Sequence, residues 1–363
     1  MTESTASPSA ATGSTATSSA NSSASSSAES RAASAPLLTA GRIAFLAFLA
    51  LALVAPLFLY PVFLVKVLCF ALFACAFNLL VGYVGLLSFG HAMFFGGASY
   101  FCGHMLKVWG WPPELAIPAA ALAAGAMGLV VGALAIRRQG IYFAMVTLAL
   151  AQMFYFFALQ APFTGGEDGI QAIPRTPILG VIETANDTTL YYVVLAIFTA
   201  GFLLIYRTIH SPFGQVLKAI RENEPRAISL GYAVDRYKLL AFTLSATLAG
   251  LAGATKALAF QLASLTDVAW QMSGEVVLMT LVGGMGTVFG PVVGAAVIVT
   301  MQNYLAGFGE WVLVTQGVIF VVVVLLFRRG IVGEAMAFAE RRRRRREDAD
   351  AAAAGEPEPA ATH

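Results

Sequence analysis

The chain has 363 residues, 58% hydrophobic and 12% charged, with a formal net charge of +2. Soluble domains carry about a quarter charged residues, so this composition excludes an ordinary water-soluble globule and indicates a polytopic membrane protein. Its cysteines, Cys69, Cys75 and Cys102, lie in apolar runs without metal or redox spacing and read as buried thiols, not as a disulfide framework.

Residues 1–36 are a Ser/Ala/Thr tract with almost no large apolar side chains. Such a segment buries too little surface to offset its ordering entropy, which predicts a disordered tail. It lacks the basic start and short apolar run of a signal peptide. Residues 37–333 form the predicted membrane domain. A helix needs about 20 apolar residues to cross the hydrocarbon, and candidate spans fall at 42–60, 62–81, 86–106, 113–136, 140–161, 189–206, 239–262, 272–288, 289–306 and 311–327. The expected fold is therefore all-α, with about ten transmembrane segments, some of them broken or re-entrant. Only a Gly/Pro-rich break divides 272–288 from 289–306. Residues 334–363 form a second tail, basic from Arg341 to Arg346 and then acidic and Ala-rich. A basic cluster just beyond a span suits the cytoplasmic face and anionic headgroups.

Charge sets the orientation through the positive-inside rule. Arg137 and Arg138 follow the fourth span, Arg207 the sixth, and Arg328 and Arg329 the tenth. The 162–188 connection instead carries Glu167, Asp168, Glu183 and Asp187 against Arg175. Basic connections inside and the acidic one outside place both termini in the cytoplasm.

The segment 207–238 is the long charged stretch in the interior of this apolar chain. Ser211 can cap a helix with Pro212 in its first position. Pro225 cannot continue that helix, so it breaks near Asn223 or Glu224, either of which can cap a second one. Gly231 then supplies a stop. Two short helices at an elbow are expected on the cytoplasmic surface. By composition alone, a solvated connector and a docking element for a soluble partner are equally open.

KAIRENEPRAISLGYAVDRYKLLAFTLSATLAGLAGA (218–254) resembles the cytoplasmic loop and following helix of branched-chain amino acid ABC-importer permeases of the Liv-type M class. NLLVGYVGLLSFGHAMFFGGASY (78–100), GIYFAMVTLALAQ (140–152) with TGGEDGI (164–170), and MTLVGGMGTVFGPVVGA (279–295) are similar to further segments of the same family, in its order. One departure is FRRGIVG (327–333), where the family commonly has a Pro before Arg-Gly. The resemblance implies a subunit in a bacterial inner membrane, paired with a homologous second permease, two cytoplasmic ATPases and an extracytoplasmic solute-binding protein. It implies contacts to the ATPase from Gly214, Arg221, Glu222, Asn223, Glu224, Ala227 and Gly231. No G-x-x-x-x-G-K-[ST] sequence is present to cradle ATP phosphates, so ATP and Mg are expected on the partner subunits, with no cofactor bound by this chain. No catalytic or metal-ligand constellation and no nucleic-acid partner are expected.

LVGYVGLLSFG (80–90) and LVGGMGTVFG (281–290) share L-V-G-x-x-G followed by Phe-Gly, and read as parallel repeats or as a chance echo in a Gly-rich chain. Glycines at this density serve close helix packing or mark discontinuous helices whose freed backbone lines a path. The path reading rests on Ser88, Gly90, His91, Gly283, Gly284 and Gly286, with His91 equally readable as a packing residue. Lys256 and Glu275 are expected to pair near the external mouth, since opposite charges at that depth reduce each other's desolvation cost. Two alternatives to a branched-chain amino acid importer stay open: a same-family permease for urea or another small polar solute, and an ion-coupled secondary transporter. The second would more typically carry paired carboxylates deep in the membrane.

Overall fold

The computed structural model describes residues 45–178, 184, 186–305, 307, 311–326, 330–338 and 341–342. The expected tail 1–36, Glu183, Glu310, Arg328, Arg329 and the arginines from Arg343 onward lie outside the described residues. Two compact units divide the chain at Phe58. In the first, helix α1 (Phe45–Leu57) closes in a 3-10 turn over Ala55–Leu57.

The second unit is a helical bundle. Its helices are α2 (Pro61–Tyr83), α3 (His91–Lys107), α4 (Pro113–Ala135), α5 (Ile141–Gln160), α6 (Asp187–His210), α7 (Pro212–Glu222), α8 (Glu224–Ser229), α9 (Val234–Phe260), α10 (Trp270–Gly283), α11 (Gly290–Leu305) and α12 (Trp311–Leu326). A last helix, α13, covers 330–338. One short antiparallel pair, β1 (Ile170–Gln171) and β2 (Leu262–Ala263), aligns Ile170 with Ala263.

Helix α9 is the axis of the bundle, packed on α2, α3 and α4. Its sequence allows this because its buried face is built from small residues, including Ala246, Ala249, Gly250, Ala252 and Gly253. Without a hydrophobic drive between helices in lipid, small residues let backbones approach closely. Around them large rings fill the gaps; Phe73 of α2 stacks on Phe95 of α3 with centroids 4.5 Å apart.

The all-α expectation holds, but ten apolar segments are not ten long helices. Among the described residues, five helices are long and apolar enough to span: α2, α4, α5, α6 and α9. Helices α3, α10, α11 and α12 have 17, 14, 16 and 16 residues, and 17 residues reach only about 26 Å. The expected span 86–106 loses its first turn because the chain does not enter α3 until His91. Backbone that leaves a helix inside an apolar bundle needs partners, and side chains supply them. Phe89 N donates to Thr147 Oγ1 at 3.2 Å, Gly90 N to Ser88 Oγ at 3.2 Å, and Ala92 N to Ser273 Oγ at 3.0 Å. The 207–238 segment also differs from a loop. Helix α6 runs to His210 and α9 starts at Val234, so short turns join four helices.

Cross-helix hydrogen bonds set the direction of α3. His91 meets Ser245 and Ser99 meets Gly253, so α3 runs parallel to α9 and opposite to α2. Ser245 Oγ donates to Ala76 O at 2.6 Å, so its oxygen accepts from His91 Nε2 at 2.9 Å. One hydroxyl thus ties α9 to both neighbours. Replacing it (Ser245→Ala) orphans a buried ring N–H and removes the second bond to the Ala76 carbonyl, and should cost about 1–2 kcal/mol. A thermal melt of the detergent-purified chain checks this; an unchanged midpoint would contradict it.

Candidate functional site

The charged segment folds as its capping residues dictate. Ser211 Oγ accepts from Gly214 N at 3.3 Å to start α7, with Pro212 in the first turn. Asn223 Oδ1 accepts from Arg226 N at 3.0 Å to start α8, with Pro225 in its first turn. The elbow has its own small core, in which Ile220, Ala227 and Val234 are buried against Val216 and Tyr237. Gly231, at φ +88°, turns the chain out of α8, and Tyr232 N closes the turn on Ala227 O at 3.2 Å.

Two of the residues expected to face a partner also hold partners within the chain, Arg221 while remaining exposed and Glu224 while half-buried. Glu224 Oε1 accepts from Lys238 Nζ at 2.6 Å and from Gln139 Nε2 at 3.1 Å. The Lys238 side chain is only 4% exposed. Arg221 lays its stem over Gly85 and donates from Nη1 to Gly82 O near the end of α2. On the same helix, Lys218 Nζ stands 5.8 Å above the Tyr83 ring. The α7 helix is therefore fastened to the end of α2 by two cations, and Arg is suited to such a role by its rigid fork of donors.

The same point gathers the second Gly-rich segment. Asn78 of α2 donates from Nδ2 to Thr287 O at 2.9 Å and accepts from Gly286 N at 3.0 Å. A Cβ at Gly82 would stand 2.8 Å from Gly286 N, and Gly286 itself adopts φ +75°. A side chain at either position would force the two breaks apart. Thr287 Oγ1 completes the turn, donating to Gly284 O at 2.8 Å and accepting from Gly290 N at 3.0 Å. Gly283 meets the Gly290 backbone where α10 and α11 cross, and Gly284 meets Gly330 at the start of α13.

The structure thus brings Arg221, Gly284 and Gly286 to one junction, with Gly283 beside it. It separates them from Ser88, Gly90 and His91, which lie at the start of α3. His91 is fully buried, with ring centroids of Phe77, Phe94 and Phe242 within 5.9 Å. Those surroundings are helix packing rather than an open path. Gly214 and Ala227 are buried, whereas Glu222, Asn223 and Gly231 are exposed. The echo between 80–90 and 281–290 has a physical counterpart, since the two breaks touch at one end of the bundle. Asn78 was missed as a site residue. A lone amide inside the apolar run of α2 was the available signal, because an amide there needs a partner.

The opposite end of the bundle carries the remaining charge. The expected Lys256–Glu275 pair is not formed. Lys256 Nζ instead donates to both oxygens of Asp267, at 2.7 and 2.6 Å. A 3-10 turn over Leu265–Asp267 holds this carboxylate, capped by Ser264, and keeps it buried at 2% exposure in front of the amine. Glu275 lies eight residues further along the chain, in α10, and faces the same cavity as Gln302 of α11. These groups line a cavity of about 500 Å³ with Lys66, Phe70, Phe260 and Met272. A second cavity of about 390 Å³, between α3, α4 and α5, has almost wholly apolar walls and offers a polar solute few partners. Among the described residues, no group of His, Cys, Asp and Glu is placed to hold a metal ion.

The Glu224–Lys238 pair yields a sharp test. Removing one partner of a fully buried pair costs about 3–5 kcal/mol, whereas exchanging both for apolar residues is often neutral; with Glu224 at 24% exposure, the cost here falls below that range. Glu224→Ala should lower thermal stability markedly, and Glu224→Leu with Lys238→Met should recover most of the loss. A double variant no better than the single one would contradict the pairing.

Comparison with known proteins bears on the whole bundle. A family profile described as "Branched-chain amino acid transport system / permease component" matches residues 59–327. The chain is 28% identical over 278 residues to the high-affinity branched-chain amino acid transport system permease protein LivM of Salmonella typhimurium, covering 70% of this chain and 65% of that protein. The same-named protein of Escherichia coli is also 28% identical, over 277 residues, with the same coverage. The chain thus spans about two thirds of the length of these relatives, at 65%. The ribose import permease protein RbsC of Bacillus subtilis is 31% identical over 202 residues, 50% of this chain and 58% of that one. No solved structure matches the chain. With its matched region covering the bundle from α2 to α12, this chain belongs to the family of permease components of branched-chain amino acid transport systems.

Proposed function

We propose that this chain is the transmembrane permease subunit of a bacterial ABC importer that carries branched-chain amino acids or close analogues across the inner membrane by ATP-driven alternating access. The observation that carries the reading is the junction at Arg221, where a short surface helix is fastened to two helix breaks. A helix built to receive force at the surface needs a stiff attachment inside, and the Gly82 carbonyl provides one. In this reading α7 and α8 face the cytoplasm. Two ATPase subunits hydrolyse ATP there, a homologous permease supplies the other wall of the path, and an external binding protein delivers solute.

Contact with the motor is proposed through the outward side of the elbow. Arg221 and Glu224 have internal partners, so Glu222 and Asn223 supply the polar contacts. Ile228, Leu230 and Tyr232 are exposed at 57%, 68% and 41%, and together they make an apolar patch of the kind that marks an interaction surface. Closure of the motor would favour one arrangement of the cavity over the other only by its differential binding energy. Amino acids are the favoured solute because both first relatives are named for branched-chain amino acids. The ribose-named relative supports a second reading, a different small polar solute on the same architecture.

The test is an affinity pull-down of the tagged chain from native membranes, read by mass spectrometry, beside a variant carrying Ile228→Asp and Leu230→Asp. Wild type should recover ATPase subunits and a second permease, and the variant should lose the ATPases. A chain that purifies alone and drives uptake from an ion gradient without ATP would overturn the reading in favour of a secondary transporter.

A further inference from the structure

The cavity opposite the coupling segment holds two charges that form no ion pair among the described residues. Lys256 and Asp267 neutralise each other in a two-pronged ion pair. Lys66, from the first turns of α2, and Glu275, from the first turns of α10, do not. Both line the cavity, and among the described residues neither forms an ion pair. The Gln302 side chain lines the same wall as Glu275. Ionised groups at the depth of a spanning helix are costly and tend to be matched. Here a cation and an anion stand on different helices with space between them.

We propose that this cavity binds the charged head of a zwitterionic α-amino acid, with Lys66 taking the carboxylate and Glu275 taking the ammonium. The proposal rests on the amino-acid reading above and assigns residues to it. The wall carries two cations and two anions, Lys66 and Lys256 against Asp267 and Glu275, so the site is neutral and favours a neutral dipolar guest over a net ion. An inorganic anion would satisfy Lys66 and be repelled by Glu275; a cation would meet the reverse. An uncharged sugar would leave both poles unmatched, and a buried unmatched pole is what a polar site discriminates against most strongly. Phe70, Phe260, Leu262 and Met272 supply an apolar surface for the side chain. The volume of about 500 Å³ lies within the ordinary range for small-molecule sites, about 300–1,000 Å³.

Thr266 lines the same cavity and is exposed, while the native cysteines are all buried. Thr266→Cys in the assembled transporter therefore gives a thiol whose labelling by a charged maleimide reports occupancy. L-Leucine should slow labelling about tenfold at roughly ten times its dissociation constant. Leucinamide, without the carboxylate, and 4-methylpentanoate, without the ammonium, should give little protection at the same concentration. Lys66→Met and Glu275→Gln should each abolish protection by leucine, and Lys66→Arg should retain it. Protection by none of the three compounds, by all three equally, or by leucine in both charge-removed variants would overturn the proposal. Leucine uptake by the unlabelled wild-type transporter, measured alongside, separates the two readings. Uptake without protection defeats the cavity alone, whereas absence of uptake defeats the amino-acid function.

Discussion

A helix that stops inside an apolar bundle leaves carbonyl and amide groups with no water to satisfy them, and every such stop must be answered by a nearby side chain. Here the answer comes from two residues on different elements. Asn78, inside α2, holds the break between α10 and α11 through Gly286 N and Thr287 O. Arg221, on the surface helix α7, holds the end of α2 through Gly82 O. The stop after α2 and the stop after α10 thereby form one structure, and the charged segment is part of it. Had α2 continued as an uninterrupted helix, the Gly82 carbonyl would have been taken up in it and Arg221 would have had no free carbonyl to hold.

The two ends of the bundle are joined by stiff elements. Helix α2 carries Lys66 near its start and Gly82 near its end, about 24 Å apart at 1.5 Å per residue. Helix α10 carries Glu275 in its second turn and finishes at the junction, roughly 12 Å beyond that residue. Helix α9 runs from the elbow to Lys256, about 33 Å. Each pole of the proposed cavity therefore sits on a helix whose other end lies at the junction. A shift of α7 that tilts α2 against α10 would change the separation of Lys66 and Glu275, and with it the fit of a dipolar guest. Short breaks with hydrogen-bonded turns suit such a role, since packed elements switch between discrete arrangements more readily than they deform.

Local rules were legible in the sequence wherever one or two residues decide the backbone. Ser211, Pro212, Asn223, Pro225 and Gly231 marked out α7 and α8, because capping and proline geometry act within a few residues. Helical class followed from apolar length. What could not be read were contacts set by the packing of distant helices. The destination of Arg221 depends on where α2 ends relative to α7, 139 positions away, a contact that neither its expected exposure nor the family resemblance reveals. Lys256 took Asp267 rather than Glu275 because a 3-10 turn delivers that carboxylate, a local fold hidden between two apolar runs. Helix length was over-read for the same reason: in 86–106, hydropathy stays high through residues 86–90, whose backbone leaves the helix because Thr147 and Ser88 can satisfy it. The path residues divided likewise, with Gly284 and Gly286 at the junction and His91 inside an aromatic cluster.

In the proposed function, Arg221 transmits movement of the surface helix to the two breaks. The most direct measurement is solute uptake per ATP hydrolysed by the reconstituted, assembled transporter carrying Arg221→Ala. If Arg221 is the mechanical link, subunits will co-purify and ATP will still be hydrolysed, while uptake per ATP falls at least roughly tenfold, equivalent to about 1.4 kcal/mol of lost coupling. Uptake per ATP equal to wild type would contradict the claim and leave Arg221 a structural fastening only.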